Sequence, residues 1–159
     1  MTTQITSAQL LERYGLDYFK NASTFGALTD DALHYLFDKG DLLQMESGDE
    51  LFRIGDAGDC FYVILDGCVG FHKPCQRKQT HIRDYEFGTE VGFVAMIGLH
   101  SRVGDGTATK PTVVLKVSCH LFSELQRDLP NDFGVLLLNL SREMSRRLRD
   151  ADNRLAEAE

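Results

Sequence analysis

Between Asp41 and Ser118 the chain is cut into short apolar runs by glycines at 48, 55, 58, 67 and 70. Breaks at that spacing leave no room for helices of ordinary length, and they restrict the stretch to short strands of an all-β barrel or roll. The run "CFYVILDGCVGFH" carries β-branched and aromatic residues on both sides of Asp66-Gly67, the pattern of a two-residue hairpin. "KPCQRKQTHI" reads as a second hairpin with its polar tip at Gln76–Gln79. "TVVLKVS" is a further strand, apolar at Val113, Leu115 and Val117, with Lys116 turned outward.

Helical patterns flank this region. "SAQLLERY" begins with a capping serine, Ser7. In "TDDALHYLFDK", Thr29 is an N-cap, Asp30 and Asp31 suit the positive end of a helix dipole, and Leu33, Leu36 and Phe37 share a face. "SCHLFSEL" follows Ser118 as N-cap, and Pro130, Asn131 and Asp132 open a long helix. At 159 residues the chain is the size of one domain, residues 1–159. The expected fold is mainly β with flanking helices: N-terminal helices over 1–40, a jelly-roll-like β-roll (a double-stranded β-helix) over 41–118, and C-terminal helices over 119–159.

The long helix carries an apolar stripe at Phe133, Leu137, Leu140, Met144, Leu148, Ala151 and Leu155. Past Met144 it is flanked by "SRRLRDADNR", and no other segment is left to cover it. A partner helix would, so the expectation is a homodimer formed through residues 131–155.

Charge and residue usage exclude several classes. A net charge of −7 disfavours general attraction to nucleic acid or to an anionic membrane. Arg142, Arg146, Arg147 and Arg149 are interleaved with acids at 143, 150, 152, 157 and 159, the pattern of a solvated, salt-bridged helix face rather than a DNA contact. No apolar run approaches the roughly 20 residues of a membrane span. "MTTQITSAQL" lacks the features of a secretory leader, so a cytoplasmic location is expected. The four cysteines form no C-x-x-C pair and read as buried, reduced thiols. His34, His72, His81, His100 and His120 are scattered with no H-x-H among them, which speaks against a cupin-type metal site. With no G-x-S-x-G and no phosphate-binding loop of the G-x-x-x-x-G-K-[ST] type, no catalytic or metal-binding residues are assigned and no enzyme is expected.

One stretch stands apart from this bland background. "TEVGFVAMIGLHSRVGDGTA", Thr89 to Ala108, is glycine-rich and mostly apolar, yet it keeps Glu90 and Arg102 twelve positions apart. Such a segment suits a pocket for an anionic ligand.

The order of helices, "SGDELFRIGDAGDCFYVILDGCVGF", "FGTEVGF", a strand and a long helix resembles the cyclic nucleotide-binding domain family over about residues 25 to 155. That family includes catabolite-activator-type bacterial regulators and the regulatory subunits of cyclic-nucleotide-dependent kinases. The resemblance implies that residues 88–108 form a phosphate-binding cassette, with a short helix after Gly88 whose free amides face a cyclic phosphate. It implies a site built from Gly88, Thr89, Glu90, Val91, Gly92, Arg102, Thr107 and Ala108. Glu90 would accept a hydrogen bond from the ribose 2′-hydroxyl, and Arg102 would hold the phosphate oxygens. Thr107 and Ala108 would close the cassette.

Two departures from the family pattern are visible: Thr89 separates the glycine from the glutamate, and Val103–Gly106 is an insertion. Its Asp105 either swings into solvent or pairs with Arg102 and fills the phosphate site. Pointing inward about 6 Å from a phosphate, it would cost about 2–3 kcal/mol at an effective dielectric near 20. The implied function is a stand-alone sensor module for a cyclic nucleotide such as cAMP or cGMP, with no other cofactor, signalling through its C-terminal helix. The alternative is a degenerate fold that binds no nucleotide and serves as a dimeric protein-interaction module.

Overall fold

Strand β4 (Cys60–Asp66) is apolar at consecutive positions because both of its faces are covered. In the computed structural model, which describes residues 1–159, it lies near the middle of a five-stranded antiparallel sheet. The order there is β1 (Thr3–Ile5), β2 (Asp41–Met45), β9 (Thr112–Ser118), β4 and β7 (Glu90–Val91). A second antiparallel sheet runs β3 (Glu50–Phe52), β8 (Asp105–Ala108), β5 (Cys68–Cys75) and β6 (Lys78–Glu86). Cys60, Tyr62 and Ile64 of β4 and Val114 of β9 face this second sheet, meeting Phe52, Val69, Tyr85 and Ala108. Phe61, Val63 and Leu65, with Val113, Leu115 and Val117, face the helices. The expected β-roll with flanking helices is the fold observed, and the alternation along β4 and β9 feeds two separate cores.

Three local readings are corrected. Asp66-Gly67 is a turn but not a hairpin, because β4 and β5 belong to different sheets and the chain crosses from one to the other there. Gly67 sits at φ 92°, and a Cβ on it would lie 2.4 Å from the Pro111 carbonyl, so only glycine fits this corner. The second hairpin is real, but Cys75 pairs with Lys78, so its tip is Gln76-Arg77. Both tip residues have positive φ, 47° and 70°, which matches the twist of a two-residue turn. Finally, helix α1 (Ser7–Tyr14) is capped by Thr6, which makes a reciprocal capping box with Gln9. Of the cysteines, Cys60 and Cys68 are buried as expected, whereas Cys75 and Cys119 are exposed.

After α1 come α2 (Leu16–Phe19), a 3₁₀ turn (Ser23–Phe25) and α3 (Asp30–Lys39), which cover the outer face of the first sheet together with α5 (Cys119–Asp128) and α6 (Pro130–Glu157). Thr29 and Ser118 cap α3 and α5 as expected, each hydroxyl accepting a backbone N–H three residues on. Asp132 of α6 accepts from both the N–H and the hydroxyl of Thr29, each at 2.9 Å. The Asn139 amide donates to the carbonyls of Thr24 and Gly26. Buried polar bonds therefore fix the first half of α6 against the N-terminal helices.

A surface cluster at the end of α5 contributes to the pH dependence of stability in acid. The Arg127 guanidinium, with Nε 2.9 Å away, and then the Tyr35 hydroxyl at 2.7 Å hold the Asp128 carboxyl down to about 2. Its folded pKa lies below the ordinary value of 3.8, so its stabilisation is complete above that pH and is lost as pH falls toward 2. Asp128→Asn is expected to flatten the thermal midpoint against pH in that window. An unchanged slope would show that this surface cluster contributes nothing measurable there.

Candidate functional site

The second half of α6 does not project away from the domain. Met144, Arg147, Leu148 and Ala151 lie against the open end of the β-roll and close a cavity of about 460 Å³. The sequence left this part of the stripe without a cover. Met144 packs against the core there, but Leu148 and Leu155 remain 65% and 67% exposed and Ala151 is exposed too, so the roll's mouth flanks the stripe past Met144 without burying it. Eleven of the fifteen lining residues are hydrophobic, among them Phe52, Phe71, Val91 and Val103. The charged side chains on the wall are all arginines: Arg83, Arg102 and Arg147.

Arg102 follows helix α4 (Phe93–Gly98), and its backbone is pinned to the 55–56 turn in both directions. Its side chain is 3% exposed. Nη1 donates to the Gly92 carbonyl at 2.8 Å, and Nη2 donates to the Cys60 carbonyl at 2.6 Å and contacts Cys60 Sγ at 3.2 Å. The guanidinium lies 4.8 Å from the centre of the Phe52 ring. No carboxylate comes within 4 Å of it, and its Nε has no hydrogen-bond partner. A buried cation without a counter-ion costs several kcal/mol, offset here in part by the two carbonyl bonds and the Phe52 ring. Asp105 takes neither course left open above: its carboxylate accepts from the Ile54 N–H at 2.7 Å and from the Gln79 amide at 2.8 Å, where the inserted segment becomes β8.

Glu90 occupies a different place from the one the resemblance implied. It is fully buried and is not part of the cavity wall. Its Oε2 accepts the Phe93 N–H at 3.1 Å, and Arg147 Nη1 lies 2.7 Å from Oε1, a charge contact that is not aligned as a hydrogen bond. Burial raises its pKa, while Arg147 and the Phe93 N–H oppose the rise. Arg147 also stacks 4.8 Å over Tyr85 and approaches Glu143 at 3.4 Å.

Of the eight residues expected at the site, Val91, Gly92 and Arg102 line the cavity, and the other five do not. The short helix begins at Phe93 rather than directly after Gly88, because β7 intervenes, and its first amide is taken by Glu90. The Gly88 carbonyl is occupied by the Ser23 and Thr24 hydroxyls, and the Thr89 hydroxyl bonds Glu86. Thr107 and Ala108 are ladder residues of β8, with Ala108 in the core between the sheets. Gly92 has a steric role: at φ 94°, a Cβ on it would lie 2.4 Å from Arg102 Nη1. Gly92→Ala is expected to cost about 1–3 kcal/mol of folding stability, read by chemical denaturation. An unperturbed midpoint would mean Arg102 can sit elsewhere.

The α6 contribution escaped the sequence reading. Its signal was Arg147, three residues after Met144 and four before Ala151 and so on their face of the helix.

The site is the apolar, cation-bearing mouth of a β-roll, flanked by the second half of α6. The family model of the cyclic nucleotide-binding domain matches residues 42–128, more than half of the chain, and the chain belongs to that family. The fold is similar to a cyclic nucleotide-binding domain from Methylobacillus flagellatus, with a TM-score of 0.84 at 21% identity, covering 99% of this chain and 89% of that one. Among curated proteins, the chain is 28% identical over 138 residues to the cGMP-dependent protein kinase egl-4 of Caenorhabditis briggsae, covering 82% of this chain. It is 24% identical over 143 residues to the lysophospholipase nte1 of Aspergillus niger, covering 89%. It spans 18% and 9% of the lengths of those two relatives. No helix is long and apolar enough to cross a membrane.

Proposed function

We propose that this chain is a regulatory sensor module of the cytoplasm whose cavity binds a small anion, a cyclic nucleotide such as cAMP or cGMP. The observation that carries the reading is Arg102: an arginine 3% exposed, with no carboxylate beside its guanidinium, on the wall of a mostly apolar cavity that it shares with Arg83 and Arg147. Family membership supports a nucleotide as the anion. The phosphate would meet Arg102, and the base would meet the apolar wall that α6 shares. Because Met144, Arg147 and Leu148 belong to that wall, a ligand touching them biases the position of α6. The bias is limited to the difference in ligand affinity between the two helix positions. Leu148 and Leu155 then supply an exposed apolar edge for pairing with a second copy.

A thermal-shift titration with cAMP, cGMP and cyclic dinucleotides tests this. A ligand at a hundred times its dissociation constant adds about 2.7 kcal/mol, a rise of about 5–10 °C for a domain of this size. No shift with any of them would discard the sensor. The burial of Glu90 and the exposure of Leu99, 92%, favour the second reading, a ligand-free interaction module. That reading requires a dimer by sedimentation in the absence of nucleotide.

A further inference from the structure

The cavity wall carries three guanidinium groups and no carboxylate, and only one of the three is matched within the protein. Arg147 lies 2.7 Å from Glu90 and 3.4 Å from Glu143, so its charge is balanced from behind the wall. Arg83 and Arg102 have no carboxylate within 4 Å. Asp84, the acid beside Arg83 in β6, falls on the opposite face of the strand, where its carboxylate is 2.8 Å from His81 Nε2. The two unmatched arginines also reach the wall from different elements. Arg102 follows α4 and is buried, with its guanidinium over the Phe52 ring. Arg83 is half-buried and pairs across β5 and β6 with Phe71, whose ring centre lies 6.4 Å from that of Phe52. The path from one arginine to the other therefore crosses two aromatic rings, and both rings line the cavity.

We infer that Arg83 is a second anion-contacting residue, and that the cavity prefers a ligand with two separated phosphodiesters, a cyclic dinucleotide, over a cyclic mononucleotide. This rests on the nucleotide-binding reading above and narrows it to the doubly charged members of that class. A cyclic mononucleotide has one negative charge and satisfies one of the two free cations. A ligand with a second phosphodiester meets the other cation as well, while its flat parts lie along the Phe52 and Phe71 rings. At a half-buried position the lower end of the range for a charge-assisted hydrogen bond applies, which is about tenfold in affinity.

The test is isothermal titration of the unaltered protein with cyclic di-GMP, cyclic di-AMP, cAMP and 5′-AMP, the last placing its two charges on a single phosphate. The tighter of the two cyclic dinucleotides should exceed cAMP by about tenfold, and 5′-AMP should not share that advantage. In Arg83→Gln the advantage over cAMP should shrink to about threefold or less, with a thermal melt on the same preparation showing that the variant is folded. If cAMP binds as tightly as either dinucleotide, the second anion contact falls while the nucleotide-binding reading stands. If 5′-AMP matches the dinucleotides, total charge rather than its separation selects the ligand, and the two-point site is overturned. An unchanged ratio in Arg83→Gln would remove that arginine from the ligand. If none of the four compounds binds, both readings fall together.

Discussion

Replacing Arg102 by methionine is expected to lower the affinity for cyclic AMP about a hundredfold while leaving the unliganded protein no less stable. The two effects differ because the guanidinium has two roles of opposite sign. Toward a phosphate it offers its positive charge and one Nη1–H that no group in the protein accepts, the Nε–H being buried away from solvent. A charge-assisted hydrogen bond contributes about 1.5–3 kcal/mol, so losing it together with the cation in a buried site removes about 2.7 kcal/mol, or two decades of affinity. Toward the fold, its bonds to the Gly92 and Cys60 carbonyls and its stack on Phe52 are offset by the cost of a buried, uncompensated cation. Methionine retains much of the volume and removes the charge. Titration calorimetry and a thermal melt on the same preparation read the two quantities. A melt falling as far as a core truncation would show Arg102 to be a structural strut, and an unchanged affinity would remove it from the ligand.

Arg147→Met is expected to have the opposite profile, a large loss of stability that depends on pH. Removing one member of a buried pair leaves the other uncompensated, at about 3–5 kcal/mol, which for a domain of this size is a fall of roughly 10 °C in the midpoint. Glu90, fully buried, is the charge left behind. Burial already raises its pKa above the ordinary 4.5, and Arg147 is the largest influence holding that rise back. In the variant the folded form therefore keeps its proton to higher pH than the unfolded form. Between the two pKa values the folded state binds more protons, so stability falls as pH rises through that window. The deficit should be full at alkaline pH and largely absent below about 4.5. Glu90→Gln in the same background should recover most of it. A deficit independent of pH would mean that the loss comes from the Tyr85 stack and the packing of α6, not from the carboxylate.

The legible and illegible parts of this chain divide along a physical line. Turn glycines and strand periodicity depend on a few neighbouring residues, so the β-roll, the caps at Thr29 and Ser118 and the long helix could be read directly. Asp66-Gly67 was read as a turn, but its partners were not, because a local turn signal is the same whether the chain folds back within a sheet or crosses between two. Arg102 and Gly92 were found because they lie in one glycine-rich segment with an unexplained charge. Glu90 was identified as important, but its partner was not, since Arg147 is 57 residues away and the pairing exists only once α6 folds back over the roll. The apolar stripe past Met144 called for a cover, and amphipathic periodicity cannot say whether that cover is a second helix or the protein's own cavity.

The central claim is that an anion belongs on the free side of the Arg102 guanidinium. A crystal structure of the protein grown with cyclic AMP tests it most directly. A phosphate oxygen should lie about 2.7–2.9 Å from Arg102 Nη1, with the base against the α6 wall. A nucleotide seated elsewhere, or a cavity holding only water at saturating cyclic AMP, would contradict it.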